Sequence, residues 1–124
     1  MDGIINPKES PKIKIGLHGQ LSKPQEFDAI VDTGFTGTIS MPFAKALPLG
    51  LILFGTASFT LADGSKENTF LCVGFANIEG KQKSVVISLS KGNDILVGTE
   101  FLSTFSIKLE LNYLTNTFAL SAGK

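Results

Sequence analysis

Asp32 is the residue of this chain best placed for acid–base chemistry. It ends the run Phe27-Asp28-Ala29-Ile30-Val31 and opens the bend Thr33-Gly34-Phe35-Thr36-Gly37. Side chains alternate along a strand, so residues 28, 30 and 32 share a face if the strand is regular. A carboxylate delivered by a strand end stands beside core residues, where water is partly excluded. Gly34 and Gly37 permit close backbone approach, and backbone N–H groups can then bond an acid held between them. Proteins place acids for proton transfer in such surroundings. Thr33 adds a short hydroxyl that can lock the bend or reach across an interface. The plainer alternative is that Asp-Thr-Gly is ordinary turn chemistry.

No rival constellation is as well formed. His18 is the only histidine and Cys72 the only cysteine, so no metal site, no other cofactor site and no internal disulfide is expected. His18 precedes Gly19 in an expected turn and reads as exposed. Cys72, in an alternating apolar run, reads as a buried structural thiol. No Gly-x-Ser-x-Gly elbow supports a serine triad. The segment Asp32-Thr33-Gly34-Phe35-Thr36-Gly37-Thr38 has the make-up of a phosphate-handling loop, but such loops feed a full helix. Here Ile39-Ser40-Met41-Pro42 reads as another strand. Asp28 is expected to face solvent near the start of its strand.

Eleven basic and eleven acidic residues cancel and are scattered. There is no field to draw nucleic acid or an anionic membrane, and neither is expected as a partner. The longest uncharged run, Ala46 to Ala62, is broken by Pro48, Gly50 and Gly55, so no membrane span is expected. The opening residues lack the basic-then-apolar pattern of a signal peptide, which makes a cytoplasmic location the expectation.

The elements that must position Asp32 are mostly strands. Lys12–Leu17 and Ser106–Leu111 alternate, the latter with Ile107, Leu109 and Leu111 on one face. Val85, Ile87 and Leu89 share a face, as do Phe118 and Leu120, and Thr69–Ile78 is a long, mostly apolar strand. Turn clusters such as Asp63-Gly64, Glu79-Gly80 and Gly92-Asn93 separate them. One or two short helices are expected: residues 42–47, stopped by Pro48, and residues 99–105, capped at Gly98 or Thr99. Neither is long enough to cover a parallel sheet. The 124 residues suit one domain, with an irregular arm over 1–11 and a single all-β domain over 12–124, a closed or folded-over sheet.

The residues around Asp32 carry a resemblance. Ala29-Ile30-Val31-Asp32-Thr33-Gly34 resembles the active-site motif of retropepsin-like aspartic proteases. About sixty residues later, Asp94-Ile95-Leu96-Val97-Gly98-Thr99-Glu100-Phe101-Leu102 is similar to that family's second signature, an apolar pair and glycine before a short helix. Between them Leu61-Ala62-Asp63-Gly64-Ser65 resembles the tip of the substrate-covering flap. The fuller pattern is similar to small prokaryotic single-lobed members, and the resemblance runs from about Phe27 to Leu111.

The resemblance implies a closed retropepsin-like β-barrel and an aspartic endopeptidase, a hydrolase of peptide bonds using two aspartates and one water. Two carboxylates about 3 Å apart share a proton and act as a unit. This chain has one Asp-Thr-Gly, so the resemblance implies a homodimer with one active site on its two-fold axis, acting on a peptide or protein substrate. It casts Asp32 as the catalytic acid/base, Thr33 as a hydrogen bond across the dimer, and Gly34 as a backbone contact to substrate. Phe35 and Thr36 complete the active-site loop. Leu96, Val97 and Gly98 pack behind it, and Leu61 to Ser65 fold over the peptide.

Three positions depart from the family pattern. Phe35 stands where retroviral members usually have Ala and pepsin-like ones Ser or Thr. Thr36 and Thr99 stand where retroviral enzymes carry an Asp and an Arg that pair. These departures motivate the alternative: a catalytically silent β module that keeps the fold for peptide binding or dimerisation.

Overall fold

A computed structural model describes residues 2–4, 11–60, 63–112, 114–115 and 117–122. Its elements in chain order are β1 (Asp2–Ile4), β2 (Lys12–His18), β3 (Gln25–Val31), β4 (Ile39–Pro42), α1 (Phe43–Ala46), β5 (Ile52–Thr60), β6 (Lys66–Ile78), β7 (Lys81–Ser90), β8 (Ile95–Val97), α2 (Thr99–Thr104), β9 (Ile107–Asn112) and β10 (Thr117–Ala122). Six strands, in the order β2-β3-β8-β4-β7-β6, close into a barrel because β2 also pairs with β6 through Gly16–Asn77, Leu17–Ala76 and His18–Phe75. Closure removes the two free edges that an open sheet would expose. The all-β barrel with two short helices expected from the sequence is the architecture observed.

Alternation explains which way each strand faces. In β2, Ile13, Ile15 and Leu17 point into the barrel while Lys12 and Lys14 point out. β6 and β7 contribute Ala76, Ile78, Val85 and Ile87 to the same interior. The helix α2 caps one end, burying Phe101 and Phe105 completely or nearly so, their ring centroids 4.8 Å apart. Burial of two such rings contributes several kcal/mol, since Phe→Ala in a core costs roughly 3–5 kcal/mol.

Beyond the barrel, β5 pairs only with β6, forming a long hairpin whose last pair is Thr60–Lys66. A second sheet, in the order β1-β10-β9, joins the two ends of the chain. Its strand β9 turns Ile107 and Leu109 toward the core and Lys108 and Glu110 away, the latter two 2.7 Å apart.

Three expectations need correction. The first eleven residues were expected to be irregular, yet Asp2–Ile4 form β1, paired with Ala119, Phe118 and Thr117; residues 1 and 5–10 lie outside the described residues. Pro48 does not stop the helix of residues 42–47 but continues it as a 3-10 turn, Leu47–Leu49. Early in such a turn its missing N–H is not needed, and Gly50, at φ 64°, ends the element instead. His18 is buried rather than exposed: it ends β2, stacks on Phe75 at 5.2 Å, and donates from Nδ1 to the Gly19 carbonyl at 2.8 Å.

Candidate active site

The bend after β3 is held by a strand from far along the chain. β8 lies between β3 and β4, parallel to the first (Ile30–Leu96, Val31–Val97) and antiparallel to the second (Ile39–Val97, Ser40–Leu96). The chain arriving at Asp32 and the chain leaving Thr38 are thus stitched to one three-residue strand. The Asp32 N–H donates to the Val97 carbonyl at 3.0 Å, and the Gly98 N–H donates to the Thr38 carbonyl at 3.0 Å. The Thr99 N–H donates to the Phe35 carbonyl at 2.9 Å, and a tight turn is closed by Phe35 N–H on the Asp32 carbonyl at 3.1 Å.

Gly98 makes this clamp possible. A β-carbon at position 98 would fall 2.2 Å from the Gly37 carbonyl oxygen and 2.4 Å from that of Phe35. The backbone angle, φ −104°, is one any residue adopts, so close approach and not conformation requires glycine. Gly37 serves a related purpose: a β-carbon there would lie 2.7 and 2.8 Å from atoms of the Phe35 ring. The bulky residue after Asp-Thr-Gly therefore rests on two glycines, which is how the loop admits it.

The platform holds Asp32 half-buried and leaves Thr33, Gly34 and Thr36 exposed, while Leu96 is half-buried and Val97 and Gly98 are buried. One carboxylate oxygen of Asp32 accepts from the Gly34 N–H at 2.9 Å. Among the described residues no other hydrogen bond holds that carboxylate, and no acid is bonded to it. Asp28 faces solvent.

The flap region splits into described and undescribed parts. Leu61 and Ala62 lie outside the described residues. Asp63, Gly64 and Ser65 are exposed at the turn of the β5–β6 hairpin. There the Asp63 carboxylate accepts from both the N–H (2.9 Å) and the hydroxyl of Ser65, and these bonds hold its pKa below the usual 3.8. No hydrogen bond joins residues 63–65 to the Asp32 loop among the described residues.

Sequence reasoning missed a cavity of about 490 Å³ beside Phe35, largely apolar in surface but bordered by several polar side chains. Its walls come from the Asp32 loop, from Ser40 of β4, from Glu67 and Thr69 in the outer half of the hairpin, toward its turn, and from the end of β7. Glu67 and Thr69, two apart, share a face of β6, and this is the one trace of the cavity in the sequence. A second cavity, about 500 Å³, lies between α1 and the hairpin; it is apolar, with Leu47, Leu53 and Phe70 on its walls and Cys72 beneath. Burial pushes the Cys72 thiol pKa up. Among the described residues no three His, Cys, Asp or Glu side chains gather into a metal site, and no helix is long and apolar enough to cross a membrane.

No protein-family model and no curated protein sequence matches the chain. Solved structures do. The EIAV protease, solved in complex with an inhibitor, superposes with a TM-score of 0.68 at 16% identity, covering 88% of this chain and 100% of its own. The simian foamy virus protease in solution gives a TM-score of 0.57 at 14% identity, covering 75% of this chain and 92% of its own. At such identities the likeness speaks for the path of the backbone alone. The closed barrel, the β8 strand wedged under the Asp32 bend and these superpositions together establish that this chain has the fold of the retropepsin-like proteases.

Proposed function

We propose that this chain is one half of an aspartic endopeptidase, assembled as a homodimer in which two Asp32 carboxylates share one active site. The observation that carries the reading is the clamped bend. Asp32 is held on a rigid platform with one oxygen bonded by Gly34, next to an exposed Thr33, and among the described residues no second acid is bonded to it. A carboxylate presented in this way is half of a proton-sharing pair, and a second copy is the simplest source of the other half. Structural neighbours that are named proteases, one of them holding an inhibitor, support the same reading.

The chemistry follows from the pair. The ionised carboxylate takes a proton from a water as its oxygen attacks the peptide carbonyl carbon. The protonated partner gives its proton to the carbonyl oxygen, forming a tetrahedral diol. Collapse of that diol breaks the C–N bond as the nitrogen receives a proton from the pair. Thr33 would bond across the two-fold axis, Gly34 would contact substrate backbone, Leu96, Val97 and Gly98 would hold the loop, and residues 61–65 would fold over the peptide.

The test is cleavage of a peptide pool between about pH 3 and 7 by wild type and Asp32→Asn. Loss of an acid–base group lowers the rate roughly 10²–10⁴-fold; equal cleavage by both proteins removes Asp32 from the mechanism. Sedimentation in the same buffers must show activity tracking the dimer.

A second reading is favoured by Phe35, Thr36 and Thr99: a silent β module for peptide binding or dimerisation. It lacks the loop ion pair and brings bulk next to the acid. A statine-containing peptide, which mimics the diol, separates the two. An active dimer binds it far more tightly than the matched peptide lacking the statine hydroxyl and melts at a higher temperature with it, whereas a silent module responds alike to both peptides.

A further inference from the structure

The cavity beside Phe35 sets several polar side chains and one carboxylate in a largely apolar surface, a composition that the peptidase reading does not by itself explain. It opens where the Asp32 loop, strand β4, the outer half of the hairpin and the end of β7 converge. An extended peptide lying over Asp32 and under the hairpin would pass this opening, and alternate side chains of such a peptide point into the walls.

The walls divide by chemistry. Phe35 and Leu89, both half-buried, give an apolar side against which an alkyl stem or a planar cation can lie. The hydroxyls of Thr69 and Ser88 are already committed, donating to the carbonyls of Leu89 and Ile39. Those of Ser40 and Ser90 make no side-chain hydrogen bond among the described residues. Glu67 is half-buried on the same wall and, among the described residues, has neither an ion pair nor a hydrogen bond. Lys91 also borders the cavity, but it is exposed; water and salt screen it, and it forms no ion pair with Glu67.

An occupant must therefore satisfy a half-buried, unpartnered carboxylate in a cavity that also offers an apolar side. An acidic side chain would set two like charges in one cavity. An aliphatic side chain would take water from Glu67 and give nothing back. A lysine or arginine lays its stem along Phe35 and Leu89 and brings its N–H donors to Glu67, Ser40 and Ser90. We propose that this cavity is a specificity pocket for a basic side chain of the substrate, with Glu67 as the residue that selects it. The inference rests on the peptidase reading and names the substrate class for it.

The experiment uses one peptide scaffold in which each position near the scissile bond is varied in turn among Arg, Lys, Met and Glu. Cleavage by wild type, Glu67→Gln and Glu67→Lys is compared as kcat/KM ratios. Wild type is expected to prefer Arg or Lys over Met at one position by about tenfold. Glu67→Gln should bring that ratio to within about twofold, and Glu67→Lys should turn the preference toward Glu. Thermal melts of the variants exclude loss of fold as the cause. Cleavage that depends on Asp32 but shows no basic preference, or one that Glu67→Gln leaves intact, overturns the pocket and spares the peptidase. Cleavage absent altogether, or indifferent to Asp32→Asn, overturns the peptidase and the pocket with it.

Discussion

Alanine at position 98 would set its methyl carbon 2.2 Å from the Gly37 carbonyl oxygen and 2.4 Å from the Phe35 carbonyl oxygen. Real contacts of this kind stay above 3.0 Å, and both neighbours are backbone, so no side chain can swing away. The loop must lift off β8 by about 1 Å. That displacement breaks the 2.9 Å bond from Thr99 N–H to the Phe35 carbonyl and the 3.0 Å bond from Gly98 N–H to the Thr38 carbonyl. Groups left without partners cost about 1–3 kcal/mol each. Gly98→Ala should therefore destabilise by roughly 2–5 kcal/mol, a large share of the 5–15 kcal/mol typical of a domain. At roughly 3–5 °C per kcal/mol for this size, Tm should fall by about 6–25 °C. The assay is urea unfolding, with the slope checked for constancy. Gly55→Ala, where a β-carbon meets nothing within 4 Å, is the control and should cost less than about 1 kcal/mol. If the two variants unfold within about 1 kcal/mol of each other, the clamp argument is wrong. Because the Asp32 backbone hangs from the same strand, Gly98→Ala should also lower peptide cleavage in the protein that stays folded.

Phe35 and Gly37 should be coupled: the three nearest atoms that a β-carbon at 37 would meet all belong to the Phe35 ring. Gly37→Ala should therefore be milder in a Phe35→Ala background, and a double-mutant cycle should return about 1 kcal/mol; strict additivity would refute the contact. Asp63 is held below 3.8 in the folded chain by the Ser65 hydroxyl and N–H. Its contribution to the order of the hairpin turn is therefore present above pH 3.8 and lost as pH falls through the lower folded value. An NMR titration should place the Ser65 amide midpoint below 3.8, and Ser65→Ala should raise it; an unmoved midpoint contradicts the assignment. Cys72, only 4% exposed and with its thiol pKa raised by burial, should react with an aromatic disulfide reagent about 100-fold more slowly than in urea. Equal rates would show that the apolar cavity gives the reagent free access.

The features legible before folding are those that depend on a period or on neighbours in the chain. Alternation placed Ile13, Ile15 and Leu17 inside and Lys12 and Lys14 outside, since opposite faces of a strand are set by the pleat alone. Asp32 after an apolar run and before two glycines was readable as a strand-end acid, and Asp63-Gly64 as a hairpin turn, for the same local reason. Tertiary structure decided the rest. The wedge of β8 between β3 and β4 joins Val31 to Val97, a pairing no local pattern announces. The room for Phe35 is made by Gly37 and by Gly98 from another element. His18 is buried because Phe75 arrives from β6, and the cavity around Glu67 exists because three strands and a loop bring polar residues to one place. Each of these rests on contacts between residues far apart in sequence, and closure of the barrel fixes those contacts only once the whole chain has folded.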